Sequence, residues 1–271
     1  MYKVLTIAGS DSSGGAGIQA DIKTITAYGM YAMSAITSLT AQNTTGVYGI
    51  YDASTECLAN QIDCIFNDIV PDAVKIGMVS NKDLIEVIAE KLKEHKAKNI
   101  VLDTVMVSTS GKKLISDGAY LTLVNKLMPL ADIITPNLYE ASVLLDSDVK
   151  NVEDMKAGAK KLSDQYGCSV LIKGGHLTDS AIDVLYSNGK YYEFNGVRIN
   201  NDNTHGTGCT LSSAIACNIA RGYSIADSVK DAKDYVAGAI NDGLNLGKGS
   251  GPLNHCYRIR SSIRRSRTRF F

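Results

Sequence analysis

Val4-Leu5-Thr6-Ile7-Ala8-Gly9-Ser10-Asp11-Ser12-Ser13-Gly14-Gly15-Ala16-Gly17-Ile18 is the stretch that decides the fold. Val4 to Ala8 reads as a strand. The glycine-rich run from Gly9 to Gly17 ends it, and Ile18, Ile22 and Ile25 then fall at i, i+4 and i+7 on one helical face. Outward from this unit the pattern repeats. Met33–Leu39 reads as a second strand, and Leu58, Ile62, Ile65, Phe66 and Ile69 make a helical stripe before the strand Ala73–Ile76. Leu84, Ile85, Ile88 and Leu92 repeat the helical spacing ahead of Asn99–Asp103, and short strands follow at Ile133–Ile134 and Val170–Ile172. Strands alternating with helices imply βαβ crossovers, hence an α/β fold whose mostly parallel sheet is covered by helices on both faces. Val184–Tyr186 and Tyr191–Phe194, joined by Ser187-Asn188-Gly189-Lys190, read as a small edge hairpin. From Thr210 to about Leu244 the chain reads as helical.

The composition agrees. A chain of 271 residues, 45% apolar and 21% charged, can bury a sizeable core in one domain, here taken as residues 1–257. No apolar run approaches the roughly 18 residues that would cross a bilayer, so a cytoplasmic protein without a membrane partner is expected. The zero net charge, 28 basic against 28 acidic residues, is a composite. Six arginines fall in residues 258–271 with no acid among them, which leaves the body at about −6. The switch from lysine to arginine reads as an appended scar, a frameshifted end or a lineage-specific extension, a disordered tail rather than a nucleic-acid arm. Six cysteines without a CxxC pair read as free thiols, mostly small core residues.

Ligands of open parallel sheets bind beyond the carboxyl ends of the strands, where the polar clusters of this chain fall. The Gly9–Gly17 turn offers amides to an anion, although it spells neither a P-loop nor GxGxxG, and a turn that merely packs strand on helix explains it equally well. Asn203-Thr204-His205-Gly206-Thr207-Gly208-Cys209-Thr210 is sharper. Its two glycines expose consecutive N–H groups at a helix start, suited to the charge that develops on a transferring phosphoryl group. The same field is expected to lower the Cys209 thiol pKa, so that a thiolate could accept a substrate proton; a small core cysteine is the alternative. In Thr135-Pro136-Asn137-Leu138-Tyr139-Glu140, Asn137 and Glu140 read either as a helix cap or as a Mg²⁺ site. Lys173, at the start of Lys173-Gly174-Gly175-His176, could meet phosphate oxygens.

Ala8 to Asp21 resembles the opening of the hydroxymethylpyrimidine/phosphomethylpyrimidine kinases of thiamin biosynthesis, within the ribokinase-like superfamily. So do Leu39–Thr44, Lys75-Ile76-Gly77-Met78, Thr135-Pro136-Asn137 with Glu140-Ala141, and Thr204–Cys209. The motifs run in order from about residue 3 to His255. One departure is Asp103-Thr104-Val105-Met106, where the family usually reads Asp-Pro-Val-Met. The resemblance implies a ribokinase-like fold, ATP and Mg²⁺ as cofactors, a homodimer, and two successive phosphorylations of a small-molecule pyrimidine at one site. It implies that Gly9, Asp21, Gln42 and Met78 line the pyrimidine pocket, with Gln42 on the aminopyrimidine edge. Gly206, Thr207 and Gly208 would form the anion hole and Cys209 would act as base. Lys173, Asn137 and Thr207 would face ATP, while Glu140 and Asp103 would organise Mg²⁺. A pyridoxal kinase is the alternative within the fold. A non-catalytic pyrimidine- or nucleotide-sensing module is the alternative outside enzymes.

Overall fold

A computed structural model describes residues 1–79, 81–106, 115–175, 182–196, 201 and 203–259. Its centre is a nine-stranded sheet in the order β3-β2-β1-β4-β5-β6-β7-β8-β9. The strands are β1 (Lys3–Asp11), β2 (Tyr31–Asn43), β3 (Gly46–Asp52), β4 (Ala73–Ile76), β5 (Ile100–Leu102), β6 (Ile133–Ile134), β7 (Ser169–Ile172), β8 (Asp183–Ser187) and β9 (Lys190–Phe194). From β2 to β7 all neighbours are parallel, while β3 at one edge and β8–β9 at the other are antiparallel. The expected α/β architecture with its edge hairpin is therefore the one observed.

Strand parity divides the core into two layers. Leu5, Ile7, Val74, Ile76, Ile100, Leu102, Ile134, Val170 and Ile172 point to one face. There they meet α2 (Thr55–Phe66), α3 (Lys82–Glu94), α4 (Asp117–Thr122), α5 (Leu138–Leu145) and α6 (Val152–Tyr166). Val4, Ala73, Val101, Ile133 and Leu171 point the other way, onto α1 (Gly17–Ala27), α7 (Thr207–Ala220) and α8 (Ile225–Asn241). Residues doubly buried in this manner read as continuous apolar runs, as parallel strands between two helical layers must.

Two elements differ from the sequence reading. The segment expected as one helix to Leu244 is broken after Ala220: Gly222 takes φ +85°, and Ser224 caps α8 by accepting the Asp227 amide. β3 was not expected at all. It is a strand without a core face, its residues exposed or half-exposed on both sides, so it carries no alternation to read.

At the C-terminus the expected boundary after residue 257 falls within one helical turn. The Arg258 guanidinium lies 5.0 Å from the Tyr235 ring, 5.5 Å from Tyr28 and 5.8 Å from Tyr257, and 3.6 Å from the Asp231 carboxylate. The first arginine of the run thus belongs to the packed body. The other five, from Arg260 onward, lie outside the described residues, as does His176.

Candidate active site

The site forms where β1, β4, β5 and β7 end and α7 begins. β1 bulges between Ala8 and Ser10, and the chain then turns back so that Ser10 bridges Gly17. This return needs glycine. At Gly17, φ is +55° and a Cβ would stand 2.3 Å from the Gly9 carbonyl oxygen. Asp11 organises the turn: its Oδ1 accepts from the Ser13 amide (2.8 Å) and hydroxyl (2.7 Å), and its Oδ2 from the Gly15 and Ala16 amides (3.1 and 2.8 Å). The glycine turn at the head of α7 packs against it, since a Cβ on Gly206 (φ +87°) would lie 1.9 Å from the Gly15 carbonyl oxygen.

Below this interlocked pair lies a layer of charge. Lys173 Nζ donates to Asp103 Oδ1 at 2.9 Å, and Thr135 Oγ1 donates to the same oxygen at 3.1 Å. A Cβ on Gly208 would meet Asp103 Oδ2 at 3.4 Å and Lys173 Nζ at 3.8 Å, so the bare α-carbon leaves the helix start close to both charges. Burial alone would raise Asp103, but Lys173 and Lys75 outweigh it and hold the carboxylate ionised. Gly206, Thr207, Gly208, Lys173 and Asp103 thus lie together at this sheet end. Thr207 turns its own hydroxyl back to the Thr204 carbonyl at 2.7 Å.

Cys209 stands in the first turn of α7, and the Gly17 amide at the start of α1 points to its sulfur. The expected low thiol pKa is not what results. Although the residue is only half-buried, desolvation of the sulfur exceeds the pull of Lys75 and pushes the thiol up to about 11. Two helix starts do not offset a dry surrounding with Asp21 and Asp103 nearby. The resting group is a thiol.

Asp21 is fully buried, and its oxygens accept from Lys75 Nζ (3.0 and 2.9 Å), Thr6 Oγ1 (2.6 Å) and Ser213 Oγ (2.7 Å). It is the floor beneath the site. The Lys75 partner was legible only as a lysine within the apolar run Ala73–Ile76, a position that a charge takes only when paired. Gly9, buried at the end of β1, and Met78, half-buried just past β4, lie at neighbouring strand ends, where Gly77 donates its amide to the Ile7 carbonyl at 2.9 Å. Gln42, half-buried near the end of β2, reaches across to the α7 turn, its amide 3.3 Å from His205 Nε2. His205, whose place in the Asn203–Thr210 run signals no role by itself, is thus brought to the substrate-side amide. Its ring also meets Asp11 Oδ2 at 2.9 Å.

Asn137 and Glu140 form a capping box, the helix cap that their spacing allows. Asn137 Oδ1 accepts the Glu140 amide and Glu140 Oε2 accepts the Asn137 amide, both at 2.9 Å. Glu140 further accepts from the Met106 amide (3.3 Å) and the Thr104 hydroxyl (3.4 Å), so Thr104 fastens its own loop to this carboxyl group. Burial raises Glu140 to about 7. The donor set therefore suits a phosphate chain over the Gly206–Cys209 turn and a hard cation beside Asp103. Glu140, its oxygens already engaged, suits a water-mediated contact better than direct ligation.

Comparison with known proteins gives the family. The family described as phosphomethylpyrimidine kinase matches residues 11–254. The chain belongs to that family. It is 45% identical to the hydroxymethylpyrimidine/phosphomethylpyrimidine kinase of Salmonella typhimurium over 93% of this chain and 96% of that one. It spans 52% of the longer thiamine biosynthesis bifunctional protein of Geobacter sulfurreducens, again at 45% identity. Among solved structures, the phosphomethylpyrimidine kinase of Clostridium difficile superposes with a TM-score of 0.81 at 44% identity, covering 89% of this chain and all of that one. An ADP complex of Bacillus subtilis pyridoxal kinase gives 0.89 at 37% identity over 96% and 99% of the two chains.

Proposed function

We propose that this protein transfers the γ-phosphoryl group of ATP to the 5-hydroxymethyl group of 4-amino-5-hydroxymethyl-2-methylpyrimidine. The monophosphate so formed is then raised to the diphosphate at the same site, a step of thiamin biosynthesis. The observation that carries this reading is the meeting of three parts at one sheet end. These are the glycine turn of α7, the Lys173–Asp103 pair beneath it, and the Gln42 amide beside it.

Each part has a task. A primary amide both donates and accepts, so Gln42 can match the ring nitrogen and amino group of the substrate edge. The α7 amides and helix dipole meet the charge on the moving phosphoryl group, and Lys173 meets ATP oxygens as a point charge. Asp103, with Glu140 through water, would hold Mg²⁺, which when bound neutralises phosphate charge and aligns it for transfer. Cys209 is a thiol at rest and can accept the hydroxyl proton only in its minor thiolate form, becoming a thiol again, so much of the rate falls to positioning and electrostatics. We read the protein as a cytoplasmic homodimer. An exposed apolar group on the β2–β3 edge, formed by Leu39, Val47, Tyr48, Ile50 and Tyr51, supports association.

The likeness to pyridoxal kinase structures favours one second reading, phosphorylation of a B6 vitamer. Incubation with ATP-Mg²⁺ and either the hydroxymethylpyrimidine or pyridoxal separates the two. Faster turnover of the pyrimidine, with both mono- and diphosphate appearing, is expected; faster pyridoxal phosphorylation overturns the first reading.

A further inference from the structure

The Gln42 amide lies between two groups, and proton accounting at both fixes its orientation. Asp11 Oδ2 stands 2.9 Å from His205 Nε2. Burial alone would raise Asp11, but hydrogen bonds from His205, Ser13 and Ala16 outweigh it and hold it well below the usual carboxylate range, so it is an ionised acceptor. His205 must therefore carry its proton on Nε2, and that nitrogen has no lone pair left to accept from an amide N–H. The group of Gln42 that lies 3.3 Å from Nε2 is consequently its oxygen, the weaker of two acceptors, with Asp11 Oδ2 at 2.9 Å, that share the one Nε2 proton. The opposite end gives the same answer independently. Thr40 Oγ1 spends its one proton on the Ser10 carbonyl at 2.9 Å, which leaves lone pairs toward the amide atom 3.2 Å away. That atom must be the NH₂ nitrogen. The two ends of an amide are almost equal in size, so only such a network tells them apart.

We propose that His205, held by Asp11, is a positioning residue that latches the Gln42 amide oxygen on its own side and the NH₂ group on the side of Thr40. The latch makes the site selective for a 4-aminopyrimidine edge over a 4-oxo edge. An aminopyrimidine presents an acceptor nitrogen beside a donor amine, whereas the 4-oxo tautomer presents a donor N–H beside an acceptor oxygen. One fixed amide pairs both contacts of the first and neither of the second. A freely flipping amide serves both. His205 is itself seated by the C-terminal segment, its amide donating to the Gly251 carbonyl at 3.2 Å, so the latch is built from four distant parts of the chain.

This inference rests on Gln42 reading the pyrimidine, and the experiment separates the two claims. The kcat/KM of the 4-amino substrate and its 4-oxo analogue are measured for the wild type, Gln42→Ala, His205→Leu, His205→Gln and Thr40→Val. Melting temperatures and the KM for ATP are recorded alongside. The wild type is expected to favour the amino compound by ~10²-fold or more, because a polar site rejects a partner that leaves its groups unpaired. His205→Leu should reduce that ratio at least tenfold, chiefly through KM for the amino compound, with the KM for ATP unchanged. His205→Gln, which restores an N–H donor, should recover most of it. Thr40→Val removes the opposite latch without touching the α7 turn and should lower the ratio several-fold, which keeps the test decisive should His205→Leu fail to fold. Equal losses for both substrates in His205→Leu, or no recovery in a well-folded His205→Gln, overturn the proposal while leaving Gln42 in place. A ratio unchanged in Gln42→Ala overturns the reading of Gln42 and the latch together.

Discussion

Lys75 Nζ lies 3.0 and 2.9 Å from the two carboxylate oxygens of Asp21, and both side chains are wholly excluded from solvent. This pair joins β4 to α1 beneath the glycine turn that opens α7. Burial would depress the ammonium, but Asp21 reverses this and keeps Lys75 charged. Removing one partner strands the other's charge in the interior, a loss of roughly 3–5 kcal/mol. Lys75→Met should lower Tm by on the order of 10 °C, and Asp21→Asn added to it should restore part of the loss. Thermal melts of the single and double variants check this. A double variant no better than the single would show that packing, not charge, holds the site floor.

Cys209 makes a kinetic prediction. With the thiol at about 11, the thiolate fraction grows tenfold per pH unit through the neutral range. If this group takes the proton, log kcat should rise with a slope near one between pH 7 and 9. Cys209→Ala should flatten that limb and cost ~10²-fold. Rapid-quench turnover across pH gives the answer. An unchanged slope in the variant would mean that the anion hole and bound cation suffice.

The capping carboxyl of Glu140 links stability to pH. Burial holds its proton in the folded protein up to about pH 7, while its ordinary value is 4.5. Its stabilising contribution is thus complete below pH 4.5 and is lost as pH rises toward 7, on the order of 3 kcal/mol in all. His255, depressed by burial to about 4, works in the opposite sense over pH 4 to 6.5, so the wild-type profile alone does not isolate either group. Glu140→Gln keeps a residue that can complete the capping box and carries no charge. The difference between the two denaturation profiles should widen in favour of the variant from pH 5 to 8. A constant difference would rule the linkage out.

Lys173 should divide its effects between binding and turnover. Lys173→Met removes a phosphate partner and leaves Asp103 unpaired, so a kcat loss of ~10²–10³-fold with a raised KM for ATP is expected. The KM for the pyrimidine should change little. Steady-state kinetics with each substrate varied in turn test this, and a larger effect on the pyrimidine than on ATP would place Lys173 at the wrong end of the transfer.

Much of the architecture could be read from the chain because parity and helical spacing state it directly. Ala73–Ile76 and Val170–Ile172 allow no amphipathic solution, and Gly206-Thr207-Gly208 ahead of Cys209 announces an exposed helix start. What escaped depends on partners far along the sequence. β3 has no core face to impose a pattern, whereas the break after Ala220 is marked locally by Gly222 and the cap Ser224. The helix start suggested an acidic thiol, whereas the burial that raises it comes from the whole fold. Asp21 and Lys75 are 54 residues apart, Asp11 and His205 are 194, and no local rule joins either pair.

The contact between Gly15 and Gly206 also bears on how this site can change. A side chain at Gly206 requires the facing Gly15 backbone to withdraw, which would undo the turn that Asp11 ties, and one at Gly15 would strike the His205 ring. Single-step mutational routes through these glycines are therefore closed. A drift toward other alcohol substrates has to run through replaceable side chains at the margin, Gln42 and Met78 among them, while the phosphoryl-transfer frame is inherited unaltered.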